Sequence, residues 1–149
     1  MSEQIKELLN EFFEKANGIV SVILIDIDGI PIESMGRFDL PPDDIGALMS
    51  ASLLSYKQVG NEFGQNLQNI MVEYDNLKLY QIQMARGVLI IIADKEAFLG
   101  LIRLIAKKII NKLAKIMEET EVSREELMKK HKFRAPSESD ISKIMSKFG

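Results

Sequence analysis

The stretch GIVSVILID, residues 18–26, constrains the fold more than any other part of this chain. It is dense in β-branched residues, so it reads as a strand. Successive strand residues point to opposite faces. Here both alternating sets are apolar, so the strand must lie inside a sheet that is covered on both sides. A second run, VLIIIA at residues 88–93, carries the same signature. Two such strands call for helices packed on both faces of one sheet.

The remaining strands follow from turn chemistry. Asp28-Gly29 closes the first strand with a hairpin signal. The return strand, residues 30–34, contains Pro31, which cannot donate to a ladder and so belongs at an edge. Strands at 70–74 and 78–84 precede the second apolar strand. Asp75-Asn76 and Arg86-Gly87 supply the turns. In the middle strand Tyr80, Ile82 and Met84 share one face, and Gln81 and Gln83 the other.

Three helices fill the gaps. Ile5, Leu8, Leu9, Phe12, Phe13 and Ala16 repeat at helical spacing, with Ser2 as N-cap and Asn17-Gly18 as the stop. The second helix opens at Pro42, with Asp43 and Asp44 at its positive end, and Gly60 stops it. The third spans about 98–118. Its stripe is Phe98, Leu101, Ile102, Ile105, Ile109, Leu113 and Ile116, and Lys107, Lys108, Lys112 and Lys115 mark its wet side. The expected fold is an α/β domain over residues 1–118, in the order αββαβββα, with a five-stranded antiparallel sheet and helices on both faces. A C-terminal helical extension follows over 119–149. There Ser123-x-x-Glu126 is a capping box that starts a short helix. Ile141, Ile144, Met145 and Phe148 form a final amphipathic stripe. A helix that short is marginal alone in water. It docks on its own domain, docks on a partner, or stays disordered.

Several function classes drop out. The chain has no cysteine and one histidine, His131, which lies outside the periodic core. Disulfides, thiolate metal sites and cysteine catalysis are excluded, and a buried histidine site is not expected. No 18-residue stretch is free of charge, so no transmembrane helix is expected. The N-terminus is acidic and amphipathic, unlike a signal peptide. Together these favour a cytoplasmic protein. Formal charge is -7 over residues 1–50, -1 over 51–100 and +5 over 101–149. The basic third reads first as a solvated helix face, with attraction to an acidic partner, nucleic acid or lipid second. No P-loop or dinucleotide fingerprint is present, so the chain is not itself a GTPase. Asp26-x-Asp28-Gly29 is similar to a phosphotransferase nucleophile motif, but Ile30-Pro31 follows and no later acidic pair appears. A hairpin turn is the better reading. Arg37 reads as a solvated loop residue ahead of an arginine finger.

Three stretches carry a family resemblance: GIVSVILIDIDGIPIES, DDIGALMSASLLSYKQVG and GVLIIIADKEAFLGLIRLIAKKIINKL. They are similar to the Roadblock family of dynein light chains and its prokaryotic relatives, over about residues 3–118. The resemblance implies that two such domains join through the second helix and third strand into one continuous sheet. It also implies that the paired second helices form a face on which small Ras-like GTPases dock. Some members stimulate hydrolysis and others only scaffold.

Helical periodicity of the second helix turns Ile45, Leu48, Met49, Ser52, Tyr56 and Val59 toward the sheet. Leu54 points the other way, flanked by Ala47, Ser50, Ala51, Lys57 and Gln58. The candidate dimer interface is therefore Ala47, Ala51 and Leu54, with Ile70 and Val72 of the third strand, whose edge position the resemblance implies. The candidate GTPase-docking residues are Ser50, Lys57 and Gln58, with Ile141, Ile144, Met145 and Phe148 of the tail. No catalytic, metal or cofactor-binding residue is expected. The leading expectation is a non-catalytic dimeric platform that binds and regulates a small Ras-like GTPase. It would be a homodimer or a heterodimer with a related roadblock protein, with no cofactor, nucleic acid or membrane span. The alternatives are a small-molecule sensor, against which the interior reads as filled by large aliphatic residues, and a purely structural subunit.

Overall fold

The computed structural model describes residues 2–130 and Ser146. Its elements are α1 (Ser2–Lys15), β1 (Ile19–Asp26), β2 (Pro31–Gly36), α2 (Pro42–Glu62), β3 (Asn69–Glu73), β4 (Leu77–Met84), β5 (Gly87–Asp94) and α3 (Leu99–Lys130). The chain divides into two compact units, Met1–Glu118 and Glu119–Gly149.

The five strands form one sheet in the order β2-β1-β5-β4-β3, every neighbouring pair antiparallel. The two all-apolar strands, β1 and β5, are neighbours flanked on both sides. Each has a side chain to bury on either face, and this position satisfies both. Val22, Leu24, Leu89 and Ile91 join Ile5, Leu9 and Phe12 of α1 and Ile102 and Leu113 of α3 in one core. Ile23, Ile25 and Ile90 join Ile45 and Leu53 of α2 in the core on the opposite face. Burying each such side chain contributes roughly 1.5–3 kcal/mol. β2, with Pro31 at its start, is one edge and β3 is the other.

The first hairpin turn is held by Asp26. Its Oδ1 accepts the backbone N–H groups of Asp28 and Ile30, each at 2.9 Å. Gly29 takes φ 85°, which L side chains rarely adopt. This turn rests directly on α2, where a Cβ on Gly46 would come within 2.3 Å of the Gly29 carbonyl oxygen.

The helices depart from the sequence expectation in four places. α2 continues past Gly60 to Glu62. Its buried residues are Ile45, Gly46 and Leu53, while Leu48, Tyr56 and Val59 are exposed. The helix is therefore rotated from the face that periodicity suggested. Apolar residues occur all round α2, and Gly46 fixes the side of closest approach. In α3, Phe98 at its threshold is 75% exposed, and Leu101 is exposed too. The buried line is instead Ile102, Ala106, Ile109, Leu113 and Met117. α3 also runs through Ser123 without a break, so Ser123-x-x-Glu126 is helix interior, not a new start. Residues 101–130 contain no Gly or Pro and many strong helix formers, so nothing interrupts the helix.

Candidate functional site

The outward side of α2 is the most distinctive surface of the first unit. Ala47, Ala51, Leu54, Lys57 and Gln58 are all exposed, as expected from the sequence. Leu54 is 61% exposed, and Leu48 and Val59 are each 58% exposed beside it. At 100° per residue Ala47, Ala51, Leu54 and Gln58 share one line, with Leu48, Ser55 and Val59 along its flank. The face thus holds three large aliphatic groups among alanines and a serine. A helix of another molecule can approach such a face closely, because small residues let backbones near one another. Sequence reasoning missed Leu48 and Val59 by assigning them to the core. Gly46 was the available signal, since a glycine inside a helix marks close packing on its own side.

Beside this line lies a cleft of about 460 Å³. Ala47, Ala51, Leu54 and Lys57 form one wall, and Gln83 and Ala85 from β4 and its turn face them across it. Asp26 and Asp28 border it. Ser50 is half-buried here, because its Cβ lies 2.9 Å from where a Cβ on Gly29 would stand. Ser50 therefore supports the hairpin turn as well as the cleft. The Gln83 side-chain Oε1 is buried without a hydrogen-bond partner among the described residues. The cleft presents one ammonium, two carboxylates and an unpaired amide oxygen around an apolar floor.

β3 contributes differently from the sequence expectation. Ile70 and Val72 turn their side chains under α2 into its core. What the edge offers outward is main chain. Gln83 N–H donates to the Gln68 carbonyl at 3.1 Å, and Tyr74 N–H to the Leu77 carbonyl at 2.8 Å. With the pairing Ile70↔Gln81 and Val72↔Leu79 between them, alternation assigns the even positions to β4. Asn69, Met71 and Glu73 then direct their N–H and C=O groups away from the sheet. Unpaired edge groups of this kind are a template for another strand. The side chains of Ile141, Ile144, Met145 and Phe148 lie outside the described residues, as does His131.

Among the described residues, no three His, Asp or Glu side chains stand close enough to hold a metal ion. No helix among them is long and apolar enough to cross a membrane. The described residues present a small-residue helix face, an adjoining cleft and an open strand edge.

Comparison with known proteins follows the fold. The Roadblock/LC7 domain matches residues 5–102. MglB of Myxococcus xanthus is 27% identical, with TM-score 0.75 over 80% of this chain and 91% of that one. A Roadblock/LC7 domain from Streptomyces avermitilis, 18% identical, superposes with TM-score 0.70 over 75% of this chain and 96% of its own, a likeness of fold. An uncharacterized protein of Methanocaldococcus jannaschii is 25% identical over 100 residues, covering 66% of this chain and 85% of the relative.

Proposed function

This chain belongs to the Roadblock/LC7 domain family, and from that premise we propose that it is a non-catalytic dimeric platform that binds and regulates a small Ras-like GTPase. The observation that carries the reading is the exposed line Ala47, Ala51, Leu54 and Gln58 beside the open edge of β3. Two copies related by a two-fold axis would pair β3 with β3 and lay α2 against α2. That contact would cover Leu54 and satisfy the outward main chain of Asn69, Met71 and Glu73. Ala47 and Ala51 would set the distance between the helices. Lys57, Gln58 and Ser50 border the cleft or helix face left over for the GTPase, and the tail stripe Ile141, Ile144, Met145 and Phe148 supplies a second contact. The dimer is homotypic or is formed with a related roadblock protein, and it works in the cytoplasm.

The test uses full-length protein and the small Ras-like GTPases of its own cell, loaded with GDP or a non-hydrolysable GTP analogue. Size-exclusion chromatography with light scattering should show the chain alone as a dimer and a larger complex with one GTPase. Leu54→Arg should abolish the dimer and weaken the complex, because it replaces an apolar anchor worth roughly 1.5–3 kcal/mol per copy with a charge. A monomer at all accessible concentrations, or no complex in either nucleotide state, refutes the reading.

A further inference from the structure

A second cavity, of about 310 Å³, flanks α2 on its other side. It lies over the opposite ends of the strands from the first cleft. Ser21 of β1, Leu79 of β4 and Ile92 of β5 line it, with Ile45 and Leu48 of α2 and Arg37 of the loop between β2 and α2. Ile92 is only half-buried, although Ile90, on the same face of the same central strand, is completely buried. A volume near 300 Å³ is at the small end of ligand pockets.

The cavity has one polar end. Ser21 is 0% exposed, and among the described residues its hydroxyl has no hydrogen-bond partner. A buried hydroxyl left unpaired carries a desolvation penalty that a bound acceptor removes. Ser21 stands opposite Gly36 in the sheet. Arg37 comes next, and its N–H donates to the Val20 carbonyl at 3.1 Å. Arg37 is exposed, and its backbone stands beside Ser21 at the border of the cavity. Lys78 borders the same space, but its ammonium lies on the other face of the sheet, donating to the Ala97 carbonyl at 3.4 Å. Asp39 stands on the rim. The rest of the lining is mainly aliphatic.

We propose that this cavity binds a small carboxylic acid with an apolar body. The carboxylate pairs with Arg37 and accepts from the Ser21 hydroxyl once the wall over Ser21 shifts to admit it, while the hydrocarbon lies on Leu79, Ile92 and Ile45. The site would let a metabolite of this class stiffen the junction between α2 and the sheet.

Titration of the full-length chain with hexanoate and phenylacetate, followed by amide nuclear magnetic resonance, tests it. Saturable shifts should concentrate at Ser21, Ile92 and residues 37–40. Hexanamide and hexylamine should bind roughly tenfold more weakly, the size of one charge-assisted hydrogen bond. Arg37→Gln, an exposed change that leaves the melting temperature in place, should weaken the acids by about the same factor. Ser21→Ala should weaken them as well. Absence of saturable shifts with both acids, equal binding of the amine, or unchanged affinity in both variants overturns the proposal.

Discussion

Gly46 decides how near α2 can come to the first hairpin. A Cβ there would meet the Gly29 carbonyl oxygen at 2.3 Å and the Ile25 methyl at 3.3 Å. Backbone cannot yield as a flexible side chain can. Gly46→Ala should destabilise the fold by about 1–3 kcal/mol, the range for overpacking, despite alanine's better helix propensity. Denaturant unfolding measures it, and an unchanged midpoint would refute the close packing. Ser21 argues the opposite sign. Its hydroxyl is buried and unpaired, so Ser21→Ala should raise the stability of the ligand-free chain by roughly 1 kcal/mol. On the surface, a hydrogen bond from Lys15 foremost, then its charge and that of Lys112, hold the Glu11 carboxyl below its ordinary value. A depressed carboxyl stabilises the folded state above its unfolded value and loses that contribution as pH falls through its folded one. Lys15→Ala should therefore move the Glu11 titration upward, toward that of a free glutamate, in carbon-detected titration. Asp26 was legible in the sequence as a turn residue, because an Asp-x-Asp-Gly after an apolar run satisfies local main chain. Ser21 was not. Nothing in GIVSVILID says that its one hydroxyl would lack a partner, since that depends on what lies above it.

At the level of elements, the sheet was largely readable and the helix faces were not. β1 and β5 declared their central place by having no polar face, and Pro31 declared β2 an edge. The edge position of β3 could not be read from its own residues, because its alternation resembles that of any half-buried strand. α2 misled because Ile45, Leu48, Met49, Leu53, Leu54 and Val59 occupy more than one stripe. Periodicity alone could not choose between them, and tertiary packing against Gly29 chose. The β3 edge gives a paired prediction. Met71 directs its N–H outward, so Met71→Pro removes no bond to β4, whereas Val72→Pro removes one. Met71→Pro should yield a monomer by light scattering and lower the melting temperature only by what association contributed, so that it no longer depends on protein concentration. Val72→Pro should lower stability in monomer and dimer alike. A dimer that survives Met71→Pro would show that β3 is not the pairing edge.

For the whole molecule, the informative place is the boundary near Glu118. The buried line of α3 runs Ile102, Ala106, Ile109, Leu113 and Met117. Each sits on the face that meets the sheet, and Met117 is the last α3 side chain of that core among the described residues. A chain ending at residue 118 therefore keeps every described side chain of both cores. It should fold alone, with a melting temperature within roughly 5 °C of the full chain, a shift of about 1 kcal/mol or less for a domain this size. The dimer surface proposed on α2 and β3 is intact in that fragment, so a dimer formed through it should persist. GTPase affinity is the discriminating reading. If the stripe Ile141, Ile144, Met145 and Phe148 docks on the GTPase, the fragment should bind about tenfold or more weakly, since a tethered second contact raises avidity without changing the first. If the stripe only covers its own domain, removing it should leave affinity level or improve it, and stability should fall instead. Affinity and melting temperature measured on the one fragment thus separate the two roles, because each role moves one quantity and leaves the other in place.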